Sequence, residues 1–303
     1  MVSTQGGDIA AHVWGMDMRR LTAALIGAGF AALGTVAAAG DWSALMTAEE
    51  AASALKAGEG RVVDIRHKEL GFDRGRIPGA VSIPFWRFRE APGAGGAPTD
   101  MIALTERVRR AGLELSDPIL IAHSGLDGRS FAAASWVYWV LKSSGFERLA
   151  ILDGGVRGWR EAGLPLDVEP ARYARSDAAP VFSDRWLATT DEVERIAAGD
   201  MSGDLLDSRA EAMRDGRSIL GAVSYAFTNL LAPSEREALS PVDMLERLKY
   251  AEVDWQAETV VTFCNDGLQG AATWFMASEV VGVTDVKLYA ASLNGWEARD
   301  ATD

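Results

Sequence analysis

The sequence predicts an α/β protein built from two tandem copies of one domain, each a mainly parallel sheet covered by helices on both faces. Short apolar segments alternate with helical patterns along the chain, which is typical of parallel sheets. The order of these elements then recurs, with Asp64 and His123 59 positions apart and Asp207 and Cys264 57 positions apart. A length of 303 residues, 48% of them hydrophobic, suits two ordinary domains better than one.

The first copy begins with a capping box, Thr47 to Glu50, that opens a short helix ending at Leu55. A buried strand at 61–66 and a second short strand at 77–84 follow. The remaining predicted elements, in order, are a helix at 101–111, a strand at 118–122, a helix at 131–142, a strand from Ala150 with a tight turn at 153–155, and a helix from Trp159 to about Gly163.

The second copy repeats this order. Another capping box begins at Thr189, and the segments at 205–209 and 219–223 match those at 62–66 and 77–81. The strand before Cys264 matches the strand before His123, and a helical pattern covers 270–281. We therefore expect a first domain at 45–168, a surface linker at 169–184 and a second domain at 185–303.

Residues 1–39 have the pattern of an extension followed by a secretory signal peptide. Two arginines at 19–20 precede an uncharged run at 21–39, which ends in small residues. The run is also long enough for a transmembrane segment, so membrane association is expected only if it stays uncleaved. Cleavage near Ala39 predicts a periplasmic or secreted protein. Because residues 1–17 contain acids and no base, Met16 or Met18 is a better expected start than Met1.

Charge and composition exclude several functions. A formal net charge of -13 disfavours nucleic acid and anionic membranes as partners. A single cysteine forbids an internal disulfide, and we expect neither a metal site nor a cofactor because no clustered ligand motif is present. His123 follows a strand, but without a second histidine beside it we interpret it as structural. The tryptophans at 136, 139 and 274 are expected in the core or between the domains.

The only cysteine is the strongest candidate for chemistry. The β-favouring residues 260–263 precede Cys264, which a small polar loop separates from the next helix. In α/β proteins ligands bind at this end of the strands. A cysteine near a helix N-terminus has a lowered pKa, so we expect a thiolate nucleophile. A buried structural cysteine is the alternative.

Several motifs, taken in their repeated order, resemble those of tandem-domain rhodaneses, which are sulfurtransferases. The matching segments are 63–66, 75–81, 152–155 with Trp159, 206–209 and 263–267. The resemblance implies a catalytically silent first domain, with His123 at the silent position, and an active second domain carrying Cys264. It also implies that Cys264 takes sulfur from a small donor, thiosulfate or a mercapto acid, and passes it from a persulfide to cyanide or a thiol.

The resemblance also suggests how the loop would bind the donor sulfur. Backbone N–H groups would form a cradle around it, and a glycine within the loop would permit the left-handed conformation that a tight cradle needs. The residues of this cradle are Asn265, Asp266, Gly267, Leu268 and Gln269. Arg209 would bring a cation near an anionic donor, although a structural ion pair with Asp207 is an equal alternative.

The loop departs from the thiosulfate-preferring pattern in ways that leave other functions open. Asn265 and Asp266 stand where such relatives have basic residues, and a carboxylate repels a dianion. Leu220 replaces the proline found at 78, and the turn at 290–292 lacks the Asp-Gly-Gly pattern. A cysteine phosphatase or arsenate reductase would need an arginine at Gly270. A non-catalytic binding or regulatory module remains the alternative to an exported sulfurtransferase.

Overall fold

A computed structural model describes residues 42–90, 99–256 and 259–300. These residues belong to one unit, Trp42–Asp303. The signal-peptide prediction falls on residues 1–41 and therefore lies outside the described residues. Within the described ranges, no helix combines the length and the apolar character that a membrane crossing requires.

The first domain contains five strands and four α-helices in its described part. Its strands are β1 (Leu45–Met46), β2 (Arg61–Asp64), β3 (Ala80–Ser82), β4 (Ile119–Ala122) and β5 (Leu149–Leu152). Its helices are α1 (Ala48–Lys56), α2 (Met101–Arg110), α3 (Gly128–Ser143) and α4 (Gly155–Glu161). The strands form one parallel sheet in the order β1-β5-β4-β2-β3, which leaves β3 at an edge.

The second domain repeats this arrangement with four strands. Its strands are β6 (Asp204–Asp207), β7 (Val223–Ser224), β8 (Val260–Phe263) and β9 (Val286–Leu288). Its helices are α5 (Thr190–Ala198), α6 (Pro241–Leu248), α7 (Leu268–Trp274) and α8 (Ser292–Asp300). The parallel order β7-β6-β8-β9 matches β3-β2-β4-β5, so the predicted fold class and the duplication are confirmed.

Three apolar clusters cover the faces of the two sheets. One lies on the α1 and α4 side of the first sheet, and another lies on the α5 and α8 side of the second sheet. The central cluster joins the inner faces of both sheets through α3 and α7. Trp136, Trp139 and Trp274 are fully buried in it, as predicted. Because α3 is covered on nearly all sides, its sequence is apolar all round rather than amphipathic.

Several helices begin earlier than the sequence pattern predicts, because caps rather than apolar periodicity set their first residues. Asp127 accepts the Ser130 backbone N–H and starts α3 three residues before the expected position. Trp159 lies inside α4, which begins after the left-handed Gly154, and not at its start. The capping boxes at Thr47 and Thr189 both form as predicted.

The linker is bound to the first domain along much of its length rather than running free over the surface. The Ala171 backbone N–H donates to the Ala80 carbonyl of β3 at 3.3 Å, and the Ser176 backbone N–H donates to the Arg109 carbonyl of α2 at 3.0 Å. Ala178 is buried, although most of its neighbours are exposed. These backbone hydrogen bonds fix the linker beside edge strand β3 and helix α2.

Candidate active site between the two domains

The Cys264 loop connects β8 to α7 at the carboxyl end of the second sheet. β6 and β8 are paired so that Asp207 lies opposite Phe263, the residue before the cysteine. The side chains that follow both strands are therefore neighbours. Cys264 is the free cysteine of the chain and is 1% exposed. The sulfur thus lies at the base of the loop rather than on its surface.

The first residues of α8 fix the backbone of Cys264. The Cys264 N–H donates to Ser292 Oγ at 3.0 Å, and the Cys264 carbonyl accepts the Leu293 N–H at 3.1 Å. Ser292 has a φ of 53°, close to the 59° of Gly155 at the matching place in the first domain. The substitution of Ala-Ala-Ser for Asp-Gly-Gly was visible in the sequence, but the contact that it creates was not.

Gly267 has the left-handed conformation that the sequence predicts, with a φ of 93°. A Cβ atom there would lie 2.6 Å from Cζ3 of Trp136 and 2.7 Å from the Ala290 carbonyl oxygen. Both the conformation and the space therefore require glycine. The Gly267 N–H donates to Cys264 Sγ at 3.2 Å, which makes it a direct donor to the sulfur.

The predicted amide cradle forms in part. The backbone N–H groups of Asp266, Gln269 and Gly270 also favour the charged sulfur. The Leu268 N–H instead donates to Asp266 Oδ1, at 3.4 Å. The cradle therefore extends one residue beyond the predicted segment and shares its amides between the sulfur and a carboxylate.

Burial raises the pKa of the Cys264 thiol above its ordinary value, and the charge of Asp266 raises it further. The thiol donates a hydrogen bond to Asp266 Oδ1, which lies 3.7 Å from Sγ. The expected lowered pKa is therefore wrong for this structure. The backbone N–H groups do lower the pKa, but desolvation and the neighbouring carboxylate have the larger effect.

Asp266 is held by a cation from the first domain that the sequence analysis missed. Arg89 donates to the Asp266 carbonyl oxygen at 2.6 Å and lies 3.4 Å from its carboxylate. The guanidinium also lies 4.6 Å from the ring centroid of Trp136. Arg89 and Asp266 are 177 positions apart, and no sequence pattern joins them. The first domain therefore supports the loop of the second.

Arg209 is in the structural ion pair that the sequence left open as an alternative. It is 1% exposed and binds Asp207 with an Nη2 to Oδ2 distance of 2.7 Å. Its Nη1 donates to Asn265 Oδ1 at 3.1 Å. The pair of Asp207 and Arg209 repeats the ion pair of Asp64 and Arg66 at the matching place in the first domain. Arg209 is absent from the residues that line the pocket beside Cys264, so its contact with the site passes through Asn265.

A pocket of about 500 Å³ opens beside the sulfur, between the two domains. We call it the Cys264 pocket. Residues of the first domain contribute to its wall, including Arg129 and Asp127, and Glu235 and Asp266 line it from the second. Gln269 Oε1 is buried and has no hydrogen-bond partner among the described residues. The lining thus combines one arginine, three carboxylates and an unused acceptor.

The matching loop of the first domain holds His123 as a neutral structural residue. Burial lowers the pKa of His123 to about 4. Its Nε2 lies 3.1 Å from the Leu152 carbonyl oxygen and donates to it, while Nδ1 accepts the Gly125 N–H at 3.2 Å. Both ring nitrogens are therefore occupied, in agreement with the structural interpretation. Among the residues described, no cluster of His, Cys, Asp and Glu could hold a metal ion.

Known proteins similar to this chain are consistent with the duplicated fold. A protein of Synechococcus elongatus, named as a candidate thiosulfate sulfurtransferase, is 25% identical over 78% of this chain and 78% of its own length. The 3-mercaptopyruvate sulfurtransferase of Escherichia coli K12 is 25% identical over 57% of this chain and 63% of its own.

Solved structures show the same fold at lower identity. SseA from Escherichia coli has a TM-score of 0.71 at 19% identity, covering 82% of this chain and 98% of that one. EanB, solved as a cysteine persulfide with ergothioneine, has a TM-score of 0.71 at 16% identity, covering 86% of this chain and 70% of that one. The model of the rhodanese-like domain matches residues 47–162 and again 189–299. This chain therefore belongs to the rhodanese-like domain family and carries two such domains in tandem.

Proposed function

We propose that this protein transfers sulfane sulfur through a persulfide on Cys264, with a mercapto acid favoured over thiosulfate as the donor and a thiol or cyanide as the acceptor. Family membership and relatives named as sulfurtransferases support the enzyme class. The proposal rests on one observation: Cys264 lines the pocket, and its sulfur accepts a hydrogen bond from the Gly267 N–H at 3.2 Å.

The reaction requires two transfers of sulfur. The Cys264 thiol first gives up its proton to water, and the thiolate attacks the sulfur of the donor. With 3-mercaptopyruvate the carbon–sulfur bond breaks, its electron pair leaves on the enolate of pyruvate, and water protonates that carbon. Cyanide or a thiolate then attacks the outer sulfur of the persulfide, and the sulfur–sulfur electron pair returns to Cys264. The backbone N–H groups around the sulfur stabilise the negative charge in both steps.

The charges of the Cys264 pocket favour a singly charged donor. Three carboxylates line it, from Asp127, Glu235 and Asp266, against the single guanidinium of Arg129. A thiosulfate dianion is repelled more strongly by these carboxylates than a mercapto acid with one carboxylate. Arg129 is exposed and has no hydrogen-bond or ion-pair partner among the described residues, so its guanidinium is available to such a carboxylate.

Intact-mass spectrometry tests the proposal directly. Incubation with 3-mercaptopyruvate is expected to add the mass of one sulfur atom, about 32 Da, to the parent and nothing to Cys264→Ser, because the chain has a single cysteine. Incubation with thiosulfate at the same concentration is expected to give less loading. Failure of every donor to load the parent would favour a non-catalytic binding or regulatory module, which the buried, protonated thiol and its carboxylate neighbour also suit.

We further propose that the protein is exported and cleaved near Ala39. The support is the order of two arginines, an uncharged run and small residues at 19–39. Expression of the whole chain in a bacterium, followed by N-terminal sequencing of the periplasmic fraction, is expected to give a terminus close to Gly40. Recovery of the protein only in the cytoplasm with residues 21–39 intact would contradict it.

A further inference from the structure

The first domain contains a second cavity that shares no lining residue with the Cys264 pocket. It has a volume of about 1030 Å³, roughly twice that of the Cys264 pocket, and we call it the Arg76 pocket. It lies beside edge strand β3, with α2 and the linker contributing to its wall. The sulfur-transfer site therefore does not account for it.

The Arg76 pocket is basic in a chain whose formal net charge is -13. The cations that line it are Lys68, Arg76, Arg87, Arg107 and Arg110. The lining acids are Asp73, which lies 4.0 Å from Lys68, and Glu106, which already binds two arginines. The local charge thus opposes that of the whole protein and attracts anions.

Arg76 is the feature that the fold leaves without a partner. It is 3% exposed, and its Nε is buried with no hydrogen-bond partner in the described residues. Its guanidinium lies 4.0 Å from the centroid of the Phe72 ring, and no ion pair or hydrogen bond of its side chain with a described residue is found. An apolar ring does not replace the hydration that a buried charge loses.

Two other arginines of this chain provide an internal comparison. Arg209 is 1% exposed and binds Asp207 at 2.7 Å, and the largely buried Arg66 binds Asp64 at 2.6 Å. Each of these guanidinium groups has its own carboxylate. The carboxylate of Asp167, whose backbone pairs with that of Arg76, accepts backbone N–H groups of its own segment instead. Arg76 therefore lacks the anion that the other two arginines have.

Two other groups of the Arg76 pocket also lack an anionic partner within the described ranges, although Arg107 donates hydrogen bonds to the Arg87 carbonyl and to Thr99 Oγ1. Ser82 Oγ is buried without a hydrogen-bond partner among the residues that the structure describes. Burial lowers the pKa of Arg107, and the neighbouring Arg87 lowers it further. An anion in the pocket would accept from the hydroxyl and reduce the repulsion between the cations.

We propose that the first domain binds a small organic anion in the Arg76 pocket, through a carboxylate or phosphate group that pairs with the Arg76 guanidinium. The planar fork of arginine matches the two oxygens of either group. Trp86, which is 47% exposed, and Val168 offer apolar surface for the body of the ligand. The proposal does not depend on sulfur transfer at Cys264.

Isothermal titration calorimetry of the full chain at constant ionic strength tests this proposal. Phenyl phosphate and 3-phenylpropionate distinguish the phosphate from the carboxylate, and 3-phenylpropanol is the uncharged control. At least one of the two anions is expected to bind, with the alcohol at least tenfold weaker. Absence of binding by both anions, or equal binding of the alcohol, would overturn the proposal.

Matched variants locate the binding. Arg76→Met is expected to raise the dissociation constant at least tenfold, whereas Arg160→Met, which removes an exposed arginine of α4, leaves it unchanged. If Arg76→Met fails to fold, Arg110→Gln provides a second test at an exposed cation of the pocket. It is expected to raise the dissociation constant only about threefold, because solvent and salt partly screen the attraction between an exposed arginine and a bound anion. Unchanged affinity in the folded pocket variants would refute the assignment. Persulfide loading of Cys264 is expected to be the same in all of them.

Discussion

Replacing Asp266 by asparagine removes a negative charge that lies 3.7 Å from the Cys264 sulfur. The amide is nearly the same size, so the loop keeps its shape, and its oxygen can still accept the Leu268 N–H that the carboxylate accepts now. Because the carboxylate raises the pKa of the thiol, its removal is expected to lower that pKa and to increase the fraction of thiolate at neutral pH.

The size of the effect follows from the distance and from the solvent exposure of the carboxylate. At 3.7 Å and an effective dielectric constant of about 20, two unit charges interact by about 4 kcal/mol. This is an upper bound, because the Asp266 side chain is 43% exposed and is paired with Arg89. We expect about 1.4 kcal/mol, which is about a tenfold gain in thiolate. A less basic thiolate is also a weaker nucleophile, so the observed rate should rise only about threefold.

Alkylation by iodoacetamide measures this rate, and the single cysteine makes the signal specific. The second-order rate constant is followed from about pH 6 to pH 10, with the cysteine in unfolded protein as the reference for an unperturbed thiol. Asp200→Asn, which removes an exposed carboxylate elsewhere, is the matched control and should behave as the parent. A slower reaction of Asp266→Asn at neutral pH would refute the electrostatic argument and indicate that Asp266 accepts the thiol proton during reaction.

Variants at three further positions test other contacts. Burial raises the pKa of Asp153 from 3.8 to about 6, so this carboxyl contributes stability that is present below its unfolded pKa and is lost as pH rises through 6. In urea unfolding, Asp153→Asn should therefore be more stable than the parent by about 3 kcal/mol at pH 7.5 and by much less near pH 4, and an equal difference at both pH values would contradict this. Ser292→Ala leaves the buried Cys264 N–H without its acceptor and should lower the free energy of unfolding by about 1–3 kcal/mol. Ser292→Gly should lower it less, because glycine relieves the positive φ, and an unchanged urea midpoint for Ser292→Ala would contradict the contact. Arg89→Met leaves Asp266 unpaired, so on its own it should slow alkylation of Cys264, whereas in a protein that already carries Asp266→Asn it should change the rate little. Faster alkylation of the single variant would contradict the pairing.

Much of the fold was predictable because local patterns and their repetition agree. The capping boxes at Thr47 and Thr189 formed as predicted, and the two sheets share one strand order. Helix starts were predicted less well. The Asp127 cap and the turn at Gly154 add residues that carry no apolar periodicity, so α3 and α4 begin before the apolar pattern does.

Some features of the candidate site also follow from the sequence, whereas others depend on the tertiary structure. The sequence alone determined that Cys264 follows a buried strand, that Gly267 must take a left-handed conformation and that Arg209 stands two residues after Asp207, because each depends on neighbours along the chain. Only the tertiary structure decided that the thiol is buried beside Asp266 with its pKa raised, that Arg89 reaches the loop from the other domain, and that Arg76 is buried without a carboxylate. Protonation and ion pairing depend on desolvation and on charges that packing brings within a few ångströms, and residues 177 positions apart leave no local pattern from which such a contact can be read.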